Sequence, residues 1–71
     1  MQTEKFQISL AAARVNAGMT QDDVSKRMKI SKNTIVNWEN GKSEPSVSQA
    51  RELSELYQFP LDHIFLPKSS N

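Results

Sequence analysis

An all-α domain of five short helices is the fold this sequence predicts, and three observations predict it. The two glycines and three prolines (Gly18, Gly41, Pro45, Pro60, Pro67) cut the chain into pieces of helical length. Within those pieces the apolar residues recur three and four apart, the period of a helix face. Good capping residues stand at the piece boundaries, and no alternating run reads as a strand pair. Asn40-Gly41 would suit a hairpin turn only between β-branched alternating flanks, which are absent. It reads instead as a helix C-terminus.

The elements follow in order. Phe6, Leu10, Ala13 and Ala17 share one stripe, so a first helix is expected over about residues 6–17, ended by Gly18. Thr20 caps the second, with Asp23 in capping-box position. Asp22 and Asp23 suit its positive end, Lys26 and Arg27 its negative end. Val24 and Met28 form its buried stripe, and Ile30 plugs the short connection to the third helix. That helix starts at Ser31 and stops at Gly41. Ile35 and Trp38 lie three apart on one side, whereas Lys32, Asn33, Val36, Asn37 and Asn40 fall on another. Ser46 with Gln49 is a second capping box, opening a fourth helix to about Gln58 with the stripe Val47, Ala50, Leu53, Leu56 and Tyr57. Pro60 suits the first turn of a fifth helix to Phe65, offering Leu61, Ile64 and Phe65 to the core. The expected domain is 1–66, and residues 67–71 are expected to form a flexible tail.

Seventy-one residues allow one small core, worth roughly 3–5 kcal/mol of net stability. Cysteine is absent, which excludes disulfides, thiolate metal sites and a cysteine nucleophile. No run approaches the ~18 apolar residues of a membrane span, and no secretory leader is evident, so a cytoplasmic protein is expected. His63 is the lone histidine and no carboxylates pair as in a catalytic site, so neither an enzyme nor a cofactor or metal is expected. His63 reads as a surface or capping residue. The net charge is +1, but residues 20–42 carry five cations against three acids and residues 43–71 two against four. That mild dipole suits a polyanion meeting one face.

The connection between the second and third helices is about three residues long. So short a turn forces a steep crossing around one apolar cluster, Val24, Ile30, Ile35 and Trp38. This is the helix-turn-helix arrangement, in which the second helix of the pair projects. On its outer face stand one cation, three carboxamides and Val36. Carboxamides donate and accept side by side, as reading a base edge requires, although an ordinary solvated face has the same composition.

Several linked stretches carry a family resemblance: Ala13-Arg14-Val15-Asn16-Ala17-Gly18-Met19-Thr20-Gln21, Ile30-Ser31-Lys32-Asn33-Thr34-Ile35, Trp38-Glu39-Asn40-Gly41-Lys42 with Pro45-Ser46, and Leu61-Asp62-His63-Ile64-Phe65. Together they resemble the Cro and lambda-type phage repressor (XRE-like) helix-turn-helix family over roughly residues 8–65. The resemblance implies a five-helix, lambda-repressor-like DNA-binding domain. By resemblance, Lys32, Asn33 and Asn37 reach base edges in the major groove, with Val36 on a thymine methyl or neutral. Gln21 grips a phosphate from the start of the second helix, consistent with the anion preference of a helix N-terminus, or else assists capping. Ser31 and Thr34 contact the backbone or a base, and Asn40, Lys42 and Ser43 hold phosphates. Arg14 and Glu39 form a structural ion pair in such proteins.

Two positions depart from the family pattern. Ser25 stands where a small residue, often Ala, is usual. Lys29 stands where Gly is usual, at a turn position expected to take positive φ. Trp38 reads as core, since it shares its face with Ile35. The expected partner is double-stranded DNA at a near-palindromic operator. A weak homodimer is expected through the fourth and fifth helices, at Tyr57, Phe59, Phe65 and Leu66. No small-molecule ligand and no membrane partner are expected. The competing function is a protein-binding adaptor or antitoxin-like module on the same fold, which would expose an apolar patch on helix 3 or 4.

Overall fold

The computed structural model describes residues 7–66, without the side chain of Phe65. Phe6 and the expected tail, residues 67–71, lie outside the described residues. The element order is β1 (Ile8–Ser9), α1 (Leu10–Asn16), α2 (Gln21–Met28), α3 (Lys32–Glu39), α4 (Val47–Tyr57), a single 3-10 turn (Leu61–His63) and β2 (Ile64–Phe65). The domain is thus mostly helical, with four α-helices among the described residues rather than five.

The capping chemistry sets the helix starts. In α2, Asp23 N donates to Thr20 Oγ1 (3.0 Å) and Thr20 N donates to Asp23 Oδ2 (2.9 Å). In α4, Ser46 and Gln49 exchange the same two bonds at 3.1 and 2.8 Å. Ser31 Oγ accepts from Thr34 N at the head of α3. Ser9 does likewise for Ala12 N, so α1 begins at Leu10 and not near residue 6. Lys29 ends α2 at φ 60°, Gly41 follows α3 at φ 77°, and Gln58 ends α4 at φ 54°.

Two further expectations are corrected. Leu61–His63 makes only one tight turn after an extended Pro60, and Ile64 then goes extended (φ −109°, ψ 123°) in place of a fifth helix. The reason is long-range: Ile64 and Phe65 pair in parallel with Ile8 and Ser9, a strand pair whose halves are fifty-six residues apart in sequence. Gln7 Nε2 donates to the Asp62 carbonyl beside it (3.3 Å). Val47, placed on the α4 stripe by its spacing, is 74% exposed. It is the first helical residue, and the stripe meets partners only from Ala50 onward.

Leu10, Ala13, Val24, Ile35, Trp38, Leu53, Tyr57 and Ile64 form the core, with Ile8, Ala17, Met19, Met28, Ile30, Leu56, Phe59 and Leu66 packed around it. All four helices and β2 contribute, so α3 is held from beneath by the whole molecule. Tyr57 is inside this core, which removes it from the surface expected to form a dimer.

Candidate nucleic-acid interface

The α3 helix has one fixed face and one open face. Ile35 (1% exposed) and Trp38 (3%) are sealed against the core. Lys32, Asn33 and Asn40 are exposed, and Thr34, Val36 and Asn37 half-buried. Ser31 and Thr34 share a hydroxyl–hydroxyl hydrogen bond of 2.9 Å at the helix head. At the other end, Lys42 N and Ser43 N both donate to the Asn37 carbonyl (2.8 and 3.4 Å). Their amides therefore cap α3, and any contact these two residues make outward comes from side chains.

A part-buried polar cluster ties α3 to α1 and α2. Arg14 Nε donates to Glu39 Oε2 at 2.7 Å and Nη2 donates to Oε1 at 3.3 Å. The two side chains are 14% and 6% exposed. Arg14 Nη1 also donates to the Met19 carbonyl (3.0 Å), and Gln21 Nε2 donates to Glu39 Oε1 (2.9 Å). Glu39 thus accepts from both helices that flank α3, in a two-pronged charged geometry of the stronger kind. The hydrogen bonds to Glu39 raise the Arg14 pKa above its usual value, against the opposing effect of burial. Behind the pair, burial first and the Glu39 charge second push the Tyr57 hydroxyl up to about 12. That hydroxyl has no hydrogen-bond partner among the described residues.

Gln21 sits at the first position of α2, its side-chain amide turned to Glu39. Thr20 satisfies Asp23 N and Val24 N, leaving the Gln21 and Asp22 amides without an intrahelical partner. Such a pair of amides, at the positive end of a helix, favours an anion. On the same side, Asp22 Oδ1 lies 4.0 Å from Lys32 Nζ. Arg14, Gln21, Glu39, Lys32 and the head of α3 are therefore joined through α2, whereas Asn40, Lys42 and Ser43 gather at the far end of α3. Spacing and motif named Met19, Tyr57 and Asp22 but not these roles: the Met19 carbonyl accepting from Arg14, Tyr57 beside the ion pair, and Asp22 facing Lys32. A carbonyl acceptor or a partner on a distant helix leaves no pattern in the chain. Among the described residues no cluster of His, Asp or Glu has the makings of a metal site. No helix among them is long and apolar enough to cross a membrane.

Residues 10–64 match the helix-turn-helix family. The chain is similar to an uncharacterized HTH-type transcriptional regulator of Methanocaldococcus jannaschii, 31% identical over 48 residues that cover 68% of this chain and 73% of the relative. It is also similar to an uncharacterized HTH-type transcriptional regulator of Archaeoglobus fulgidus, 32% identical over 53 residues and 75% of each chain. No solved structure matches the chain.

Proposed function

We propose that this chain, which belongs to the XRE-type helix-turn-helix family, is a sequence-specific regulator of transcription of the phage or prophage repressor kind, reading the major groove of double-stranded DNA with α3. The observation that carries the reading is the division of α3. Its apolar face is sealed and its angle is tied by Arg14 and Gln21 through Glu39, while Lys32 and Asn33 stand exposed at its head. A rigid helix with a polar outer face is what base readout needs.

In this reading Lys32, Asn33 and Asn37 contact base edges, and Val36 meets a thymine methyl. Gln21, Ser31, Thr34, Asn40, Lys42 and Ser43 hold the sugar-phosphate backbone on either side. Two copies bind a near-palindromic operator, their α3 helices about one helical turn apart. They associate weakly through the α4–β2 end, at Phe59, Phe65 and Leu66, and work in the cytoplasm. The adaptor reading calls for an apolar patch on α3 or α4. The exposed large apolar residues among those described are Val15 on α1 and Val47 at the head of α4, each standing singly rather than in a patch.

Selection of bound sequences from a random duplex pool, followed by titration at several salt concentrations, tests the proposal. The expected result is a defined site and a log–log slope of about −0.9 per phosphate neutralised. Asn33→Ala and Asn37→Ala relax preference at single positions, each by about 1–3 kcal/mol of discrimination, and Gln21→Ala weakens all sites equally. Absence of salt-dependent binding to any duplex overturns the proposal in favour of the adaptor.

A further inference from the structure

We infer that Asp22 is a specificity-determining residue of this interface, holding Lys32 away from phosphates while leaving it able to reach a matching base; this rests on the DNA-binding reading above. Beyond the favourable placement of a negative charge in the first turn of α2, the Asp22 carboxylate has no capping task. The α2 capping box is completed by Asp23, and the side-chain hydrogen bond at Asp22 goes to its backbone carbonyl, which accepts from Ser25 Oγ (2.8 Å). Its carboxylate instead reaches across to the first residue of α3, 4.0 Å from Lys32 Nζ, with the two side chains 62% and 56% exposed. A pair so exposed adds little to folding. Its effect falls on the surface where phosphates would lie, next to the two amides at the head of α2 that lack an intrahelical partner.

The consequence is electrostatic. On an arbitrary duplex, a lysine at the head of α3 gains by neutralising the nearest phosphate and releasing its counterion. Asp22 competes for that ammonium and repels the phosphate, so this sequence-independent gain is reduced. An ammonium has three donors, so Lys32 can keep one toward Asp22 and aim another at a guanine acceptor in the groove. Attraction to all DNA falls while attraction to the matched base remains, and discrimination widens.

The test measures binding of the wild type, Asp22→Asn, Lys32→Gln and the double variant to a selected duplex and a random-sequence duplex across salt concentrations. Melting temperatures serve as the folding control. Asp22→Asn is expected to tighten random-duplex binding by about three- to tenfold and steepen its salt slope by about 0.9, with a smaller gain on the selected site. The selected-to-random ratio narrows, and the effect of Asp22→Asn shrinks when Lys32 is already Gln. An unchanged ratio, or an equal effect with and without Lys32, overturns the inference while leaving the DNA-binding reading intact. A wild type that binds no duplex overturns both.

Discussion

Lys29 holds a backbone conformation that L-residues avoid, φ 60° and ψ 44° at the end of α2. Its amide donates to the Ser25 carbonyl and the next amide, Ile30 N, does so too (3.0 Å), so the conformation is fixed by the turn's hydrogen bonds. Lys29→Gly is expected to raise stability by about 1 kcal/mol, read as a higher melting temperature. A lower one contradicts the strain. Tyr57 is the second residue with a cost attached. Its hydroxyl is buried without a partner among the described residues, and a buried unsatisfied group is destabilising by about 1–3 kcal/mol. Tyr57→Phe keeps the ring in the core and removes that group, so chemical denaturation should show equal or greater stability. A loss above about 1 kcal/mol would mean that the hydroxyl has a hydrogen-bond partner.

At the scale of elements, the orientation of α3 rests on the Arg14–Glu39 pair. Removing one member of a buried pair costs about 3–5 kcal/mol, as much as the whole net stability expected of so small a core. Arg14→Met should therefore be largely unfolded by circular dichroism, while the double change with Glu39→Met recovers folding because no lone charge remains inside. An Arg14→Met protein that melts like the wild type would reduce the pair to a surface bridge. The start of α2 has its own signature. Hydrogen bonds from the Thr20 backbone and then its hydroxyl hold the Asp23 carboxyl below the usual carboxylate range. A depressed folded pKa means the stabilisation is present above the ordinary Asp pKa and is lost as pH falls through the folded value. Asp23→Asn should flatten the acid side of a stability-versus-pH curve; an identical acid limb in both proteins contradicts the assignment. The caps at Thr20, Ser31 and Ser46 were legible because a cap is a local bargain between residues three apart. Gln58 at φ 54° was not, since nothing in a glutamine announces a left-handed residue.

For the whole molecule, the proposed dimer is the feature that most separates one copy's chemistry from its action on DNA. With Tyr57 inside and Phe59 and Leu66 packed partly on the core, little apolar side chain is left at the α4–β2 end for a partner, which predicts weak self-association reinforced on DNA. Sedimentation of the free protein should show monomer with a concentration-dependent shift, and the complex on a selected site should contain two copies. A strict one-to-one complex on a palindromic site defeats the proposal. The ends of the described chain meet in the Ile8–Ile64 pairing, so α1 and the C-terminal segment brace one core on which α3 sits.

The sequence by itself determined the starts and faces of α2 and α3, the turn between them and the residues offered on the open face. All of these follow from periodicity and capping within a few residues. Only the tertiary structure decided that Ile64 and Phe65 become a strand, that Val47 has nothing to pack on, and that Tyr57 lies behind the ion pair. It alone joined Gln21 to Glu39 and Asp22 to Lys32. Each of these depends on a partner from another element, and a one-dimensional pattern records which face a side chain occupies but not what the fold brings opposite it.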